Sequence, residues 1–490
     1  MNPKNVPPCQ AACPIRTDAR GYISAIERGD AEAAIKINRQ VNPLPAICGR
    51  ICPRPCERVC RRGQVDEPIA IAALKRFASD NSNSLSLIQK PENVHDEKIA
   101  VIGGGPAGLA AAHDLALLGY KVTILDGSYR LGGMLIEGIP EYRLTKDVVM
   151  ADIDFILALG VAVRTGLYLG RDYTIESLLK DFQGVVLAIG SQRSLFPRCK
   201  GIELSRIYTA VDFLKQVSRG QRPRLGSRVV IIGGGHTALD ASRTCLRLGS
   251  SEVTIIYRRT VDEMPVDRGE LKQTEEEGVK MMYLVTPVEF LGAENGDVEK
   301  VRCIKIALGE PDESGRPSPR PVPNSDFELP VDTVISAIGY MPEEETLKSS
   351  GISTKEQNRV IVNNKFATNL KNVFACGDVV SGPSSLIEAI ATGKKTARSV
   401  HCYFRNLPEE LEMYYGSGAL SDKMVQLIPK EKRLKMPTLH IEDRIRNFSE
   451  VELGYNWEQA VKEAQRCLKC GTSELVKKLR GHYHSAKDNI

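Results

Sequence analysis

From Lys98 the chain sets short, wholly apolar runs against longer segments of helical period: KIAVIGG, then PAGLAAAHDLALLG, then KVTILD. A short apolar run, a glycine turn and an alanine-rich helical stretch predict strand, helix and strand, the unit that builds parallel sheets. The pattern recurs from Arg228 as RVVIIGG, HTALDASRTCLRLG and EVTIIYR, about 130 residues later. Two such openings predict nested nucleotide folds rather than tandem independent domains. The apolar runs GVVLAIGS from Gly184 and DTVISAIGY from Asp332 are expected to close one fold each. NVFACGDVV, from Asn372, then returns the chain to the first.

Residues 1–90 read differently. DARGYISAIERGDAEAAIKINRQ places apolar residues at helical spacing, NPLP breaks the pattern, and IAIAALKRFASD predicts another helix. NSNSLSLIQKPENVHDE is a polar linker to the first strand. Residues 308–330 hold six prolines and predict a surface loop. The last 50 residues read as helical again, through FSEVELGYNWEQAVKEAQRCLKC.

The chain has 490 residues, room for about three domains at ~150 residues each. With 42% hydrophobic and 26% charged residues it falls in the ordinary globular class. A net charge of +5 over this length is too weak to argue for nucleic acid. The basic stretch KKLRGHYHSAK near the C-terminus is read as a frayed, solvated end. No apolar run reaches the ~18 residues of a membrane span, and the polar start MNPKNVPPCQ is unlike a signal peptide. A cytoplasmic protein is expected, and structural disulfides are rare there.

That expectation changes the meaning of the cysteines. Eight of the thirteen crowd the two ends: Cys9 and Cys13, then Cys48, Cys52, Cys56 and Cys60, and finally Cys467 and Cys470. The N-terminal six step mostly by four residues, whereas zinc sites favour C-x2-C pairs, a spacing found only at Cys467 and Cys470. Thiolates with a Cys-Pro step suit 4Fe–4S clusters, and eight of them complete two. Structural zinc and a disulfide framework are the weaker alternatives. Cys199, Cys245, Cys303, Cys376 and Cys402 are scattered singly and read as small buried apolar side chains.

Gly103-x-Gly105-x-x-Gly108 follows a strand and opens a helix, the context a dinucleotide fingerprint requires. The first glycine permits the tight turn, the second lets backbone approach a pyrophosphate, and the third allows close helix–strand packing. Asp126 ends the next strand, where a carboxylate binds ribose hydroxyls. Gly233-x-Gly235-x-x-Ala238 repeats the motif, but Tyr257 stands where the first fold has Asp126, and Arg258 and Arg259 follow. A lost carboxylate and two gained guanidinium groups favour a 2′-phosphate, hence NADPH over NADH. His236, at the helix start, is given no catalytic task.

Several segments together carry a family resemblance: CxxxCP, NPLPAICGRICP, ALKRFASD, GGGPAGLAAA, GGMLIEGIPEYRL, GGGHTALDASRTCLRLG, IYRRTVDEMP and VFACGD. The chain resembles the small subunit of glutamate synthase and its relatives, including the flavin half of dihydropyrimidine dehydrogenase and bifurcating transhydrogenases. FSEVELGYNWEQAVKEAQRCLKC resembles the segment that begins that small subunit, yet here it lies near the end of the chain. This arrangement is similar to NAD(P)H:acceptor oxidoreductases and makes glutamate synthase proper the alternative. The resemblance implies an outer cluster on Cys9, Cys60, Cys467 and Cys470, and an inner one on Cys13, Cys52 and Cys56. Relatives supply a Gln or Glu to the inner cluster at the position of Lys75, and a protonated lysine has no lone pair to offer. Cys48 is the obvious substitute. Gly377 and Asp378 resemble the second FAD motif, with the aspartate at the ribityl–phosphate region. The helix beginning at SLIEAIATG is expected to aim its N-terminus at the flavin ring. Gly132, Gly133 and Met134, with IPEYRL, resemble the loop packed over the isoalloxazine.

The expected fold is α/β: two nested Rossmann-like domains of glutathione-reductase type, plus a helical iron–sulfur domain completed by a C-terminal helical hairpin. The expected limits are 1–95 for the iron–sulfur domain, 96–222 and 339–405 for FAD, 223–338 for NAD(P), and 406–490 for the extension. The expected cofactors are FAD, NADP(H) or NAD(H), and two 4Fe–4S clusters. Electrons are expected to pass between NAD(P)H and a redox partner subunit or ferredoxin. Hydride transfer needs alignment more than an acid–base side chain, so no catalytic residue is singled out. A disulfide reductase of the same fold would need a cysteine pair beside the flavin. A non-catalytic assembly subunit with structural metal is the remaining alternative.

Overall fold

The computed structural model of the chain describes residues 4–89, 91, 95–312, 315–408, 414–416 and 418–472. The basic stretch 477–487 lies outside the described residues. Two five-stranded parallel sheets organise the middle of the chain. The first runs in the order Val373–Ala375, Gly184–Leu187, Lys98–Ile102, Lys121–Asp126 and Ala162–Thr165. The second runs Lys280–Tyr283, Glu252–Tyr257, Arg228–Ile232, Thr333–Ser336 and Ile207–Thr209. Their central strands are buried on both faces, which is why they read as continuous apolar runs rather than alternating ones.

The strand Val373–Ala375 pairs with Gly184–Leu187, so the chain leaves the first sheet, builds the second and returns. The fold is the nested Rossmann-like arrangement expected. Ile207–Thr209 precedes the limit expected at 222/223 yet is hydrogen-bonded into the second sheet beside Thr333–Ser336. The long helix Leu386–Arg405 then packs on Pro106–Leu117. Their approach is close because a Cβ on Gly393 would lie 2.1 Å from the Ala107 carbonyl oxygen.

In the N-terminal region the long helical stretch is two helices, Ala19–Glu27 and Ala31–Arg39. Gly29 takes φ +78° between them, and the Asp30 side chain caps the second by accepting from Ala33 N at 2.8 Å. Much of residues 308–330 is strand rather than loop. Pro317–Pro321 is a strand antiparallel to Val298–Pro311, and Phe327–Pro330 pairs with the same long strand. Pro317, Pro319 and Pro321 alternate, so their nitrogens all fall on one side of an edge strand, away from its partner, where no donor is needed.

The C-terminal region is an extended arm rather than a helical hairpin. Among the described residues it carries the short helices Asp422–Leu427, Ile441–Arg444 and Trp457–Gln465. Asn456 and Gln459 form a capping box that starts this last helix, which packs on Ala19–Glu27. Immediately after it, the Arg466 side chain is 1% exposed. It pairs with Glu463 at 2.6 Å and Asp66 at 3.0 Å, and donates to the carbonyls of Glu67 and Glu431. Among the described residues, no helix is long and apolar enough to cross a membrane.

Removing one partner of a buried ion pair strands the other, at about 3–5 kcal/mol. Arg466→Ala should therefore lower stability by about that amount, read as a fall in denaturant midpoint. A midpoint within error of the parent would mean that the arm docks without this joint.

Candidate functional site

A cleft of about 780 Å³ lies where the two sheets face each other, reached by residues of both folds and of the N-terminal region. Gly103 forms its floor with φ +102°, and a Cβ there would sit 2.4 Å from the Ala188 carbonyl oxygen. A Cβ on Gly108 would sit 1.9 Å from the Gly103 carbonyl oxygen, so that position serves packing. A Cβ on Gly105 would meet nothing within 4 Å, which leaves the backbone open to the cleft. Gly233, at φ +140°, and Gly235 repeat the first and second roles in the second fold, with fully buried Ala238 in the third. Gly105 and Gly235 cap their helices without a side-chain hydrogen bond, so the first N–H groups are free to meet an anion.

Gly133, Met134, Asp126, Gly377 and Asp378 also line the cleft. A Cβ on Gly133 would come within 3.1 Å of Gly105 Cα, so its loop lies directly over the fingerprint turn. Asp126 accepts from Gly104 N at 2.6 Å and Ser128 N at 2.7 Å. One carboxylate thus ties the turn to the following loop, and burial pushes it above its ordinary value. Asp378 accepts from Ser384 N at 3.1 Å and Ser384 Oγ at 2.7 Å, and burial raises it to about 6. The helix Leu386–Arg405 opens on the cleft through Leu386 and Ala389, with Ser385 and Glu388 forming its capping box.

The two folds are joined by a network that local sequence patterns did not reveal. Arg143, in the IPEYRL stretch of the first fold, donates to both Asp240 oxygens at 2.8 and 2.9 Å and to Glu270 at 2.9 Å. His236 Nδ1 lies 2.8 Å from the other Glu270 oxygen. Burial alone would raise Glu270, but Arg143 and His236 outweigh it and hold the carboxyl at about 2. Tyr142 lies under the Arg247 guanidinium at 3.9 Å and the Arg243 guanidinium at 4.7 Å. The partners are far apart in sequence, so only the basic and acidic character of IPEYRL and the helix His236–Arg247 hinted at them.

The two arginines after Tyr257 separate. Arg259 is buried, donates to the Pro317 carbonyl at 2.8 Å and pairs with Asp312 at 2.7 Å. It anchors the proline-rich strand and is paired with Asp312, whereas among the described residues its neighbour has no such partner strand to hold. Arg258 is exposed, and burial together with the neighbouring Arg259 and Arg316 holds its guanidinium below its ordinary value.

The eight terminal cysteines gather in two sets. Cys9, Cys60, Cys467 and Cys470 line one small cavity of about 30 Å³, with Arg20 and Arg61 at its wall. Arg20 donates to the Cys470 carbonyl at 2.9 Å, fixing the Cys467–Cys470 turn there. Cys13, Cys48, Cys52 and Cys56 act together on the buried Lys75. Burial raises Cys9, Cys48 and Cys56, Lys75 opposes it at Cys48 and Cys56, and neighbouring thiols raise each further. Among the described residues, no three or more His, Cys, Asp or Glu side chains converge as ligands of a single metal ion do. Of the other five, Cys245, Cys303 and Cys376 are buried, and Cys376 is raised to about 12 by burial.

The comparisons with known proteins agree with this geometry. Residues 97–393 match the family model described as pyridine nucleotide-disulphide oxidoreductase. Residues 4–86 match dihydropyrimidine dehydrogenase domain II, 4Fe-4S cluster. The chain is 36% identical to the NADPH-Fe(3+) oxidoreductase subunit beta of Geobacter sulfurreducens, over 95% of this chain and 75% of that protein. It is 32% identical to the glutamate synthase (NADPH) small chain of Escherichia coli, over 80% of this chain and 88% of that one. Among solved structures it is similar in fold to FprA of Mycobacterium tuberculosis in complex with NADPH, with TM-score 0.55 and 19% identity, covering 65% of this chain and 87% of that one.

The raised Asp378 carboxyl has a consequence for stability. A folded value near 6 against an ordinary 3.8 means that folding favours the protonated acid. That contribution is full below about 3.8, fades as pH rises through about 6, and is gone above. Asp378→Asn stays neutral throughout, so its stability relative to the parent should improve by roughly 2–3 kcal/mol between about pH 4 and 7. Denaturation of the ligand-free chain across that range measures it; parallel pH profiles would contradict the assignment.

Proposed function

We propose a function on the premise that the chain belongs to the pyridine nucleotide-disulphide oxidoreductase family, joined to the 4Fe-4S domain type of dihydropyrimidine dehydrogenase. It is an NAD(P)H-dependent oxidoreductase with FAD and iron–sulfur clusters that exchanges electrons with a redox partner subunit. The observation that carries this reading is the single cleft shared by two dinucleotide folds, with Cys52 and Arg54 of the N-terminal region in its wall. The relatives named a subunit beta and a small chain support the partner.

The chemistry supplied by a bound flavin is hydride acceptance from a nicotinamide and one-electron release to iron–sulfur centres. The chain's task is to hold and align the groups. Residues 96–222 and 339–405 provide the FAD fold, in which Gly103, Gly105 and the helix start at Pro106 take the pyrophosphate. Asp126 would hold the adenosine ribose and Asp378 the ribityl–phosphate region, and Gly133 and Met134 would lie over the ring. Gly233, Gly235 and Ala238 serve NAD(P)H in the second fold. Arg143, through Asp240 and Glu270, fixes that fold against the first, so that two rings stack in register.

Two 4Fe–4S clusters fit the two cysteine sets. Cys9, Cys60, Cys467 and Cys470 form the outer one; Cys13, Cys52 and Cys56, with Cys48 as fourth ligand, form the inner one. A cytoplasmic setting suits this many thiolates, and a ferredoxin is the finer candidate for the partner. A disulfide reductase is disfavoured because Cys376 stands alone beside Gly377.

The purified chain should hold about eight irons and one FAD, and NADPH should bleach the flavin under anaerobic conditions. Stoichiometric zinc without labile sulfide would overturn the cluster reading, and a flavin indifferent to both nicotinamides would overturn the reductase.

The specificity prediction now rests on one arginine. Arg258→Ala should shrink the NADPH:NADH ratio of kcat/KM by about tenfold or more, the scale of one charge-assisted phosphate contact. Arg259→Ala should cost stability instead, through the lost bonds to Asp312 and the Pro317 carbonyl. An unchanged ratio in Arg258→Ala would make that side chain ordinary surface charge.

A further inference from the structure

Lys75 is 6% exposed and sits on the helix Ile71–Asp80. That helix crosses Pro45–Ile51 so closely that a Cβ on Gly49 would lie 2.7 Å from Arg76 Cα. The crossing sets Lys75 beside Cys48. The charges acting on its ammonium are, in order, Cys48, Cys13, Cys52 and Cys56. The relation is reciprocal, since after burial Lys75 is the largest influence on Cys48, Cys52 and Cys56. Among the described residues, no carboxylate forms an ion pair with Lys75, although buried Arg39, Arg243 and Arg466 each have one. A buried ammonium needs a countercharge. Among the described residues, the groups that favour its charge most are the thiols of Cys48, Cys13, Cys52 and Cys56.

We propose that Lys75 raises the reduction potential of the inner iron–sulfur centre, making it the electron sink beside the flavin. The proposal rests on the reading of Cys13, Cys48, Cys52 and Cys56 as that centre's ligands. A 4Fe–4S centre held by four thiolates is anionic when oxidised and gains one more negative charge when it accepts an electron. A fixed cation in a poorly solvated site favours the more negative state, and so shifts the potential upward. An uncharged side chain at the same place leaves the four thiolates uncompensated and the centre harder to reduce. The effect is local: Cys9, Cys60, Cys467 and Cys470 are absent from the groups acting most strongly on Lys75. The outer centre therefore keeps its own potential. Lys75 is a positioning charge and takes no part in bond making.

Anaerobic redox titration of the iron-loaded holoprotein, followed by electron paramagnetic resonance, tests this. In Lys75→Met the inner centre's midpoint should move to lower potential while the outer stays put, and Lys75→Arg should remain near the parent. An inner midpoint unchanged in Lys75→Met with full iron content overturns the proposal. Should Lys75→Met fail to fold, Lys75→Leu provides the neutral, non-ligating comparison. Loss of the inner centre in both neutral variants but not in Lys75→Arg assigns the charge to assembly and likewise overturns tuning. Cys48→Ala checks the ligand reading separately. An unaltered inner spectrum there removes Cys48 from the ligand set, while the Lys75 shift is still read on the same centre.

Discussion

Almost no water reaches the Arg466 guanidinium, yet it joins three stretches of chain that are distant in sequence. Its nitrogens meet Asp66 and the Glu67 carbonyl near the N-terminus, the Glu431 carbonyl on the arm, and Glu463 on its own helix. Glu463 in turn accepts from Ala70 N and Leu434 N. A buried ion pair contributes little net stability against a well-packed apolar substitute, but it is unforgiving of misplacement. That intolerance suits its position. Cys467 follows Arg466 directly, so the register that satisfies the guanidinium is the register that carries Cys467 and Cys470 to Cys9 and Cys60.

The same arm then ties the cysteine-bearing region to both nucleotide folds. Glu450 pairs with Arg50 at 2.7 Å and Arg76 at 3.0 Å, from the two helices that cross at Gly49. One residue on, Val451 N donates to the Tyr142 carbonyl at 2.9 Å. Tyr142 is the ring that Arg243 and Arg247 cover from the second fold, and its neighbour Arg143 holds Asp240 and Glu270. A short path of polar contacts thus runs from the cysteines through the arm to the start of the second fold. Electron transfer needs fixed separations between carriers, and hydride transfer needs fixed alignment of two rings. Each joint in this path is buried or half-buried, where a polar group without its partner is costly, so each favours one arrangement.

What the sequence made legible was whatever depends on local order. Strands buried on both faces had to be apolar throughout, and the fingerprint glycines had to precede their helices, so the nested folds could be read from Lys98 and Arg228 onward. The cysteine spacing carried its chemistry in the same way. The misreadings share a cause, which is a partner supplied from elsewhere. Pro317, Pro319 and Pro321 read as loop because strand interiors exclude proline, but an edge strand with alternating prolines loses no hydrogen bond. Arg259 meets its counterion Asp312 53 residues away, and His236 meets Glu270 34 residues away. The C-terminal segment has helical periodicity, but outside its three short helices it runs extended, so that Leu434 and Glu431 can reach Glu463 and Arg466.

The two nucleotide folds share a backbone and diverge at one strand end. In the first, Asp126 accepts from Gly104 N, so the carboxylate closes the fingerprint turn with a hydrogen bond. In the second, the Tyr257 ring fills that place: a Cβ on Gly234 would lie 2.6 Å from its atoms, and its hydroxyl donates to the Glu263 carbonyl at 3.0 Å. The turn is closed by packing rather than by charge. In place of that carboxylate, exposed Arg258 follows Tyr257 directly. An acidic strand end suits the ribose of a dinucleotide without a 2′-phosphate, and an aromatic one followed by a cation suits a dinucleotide that carries it. Selectivity between two cofactors with the same core therefore needs no change of fold. It needs one side chain to exchange a hydrogen bond for a packed ring.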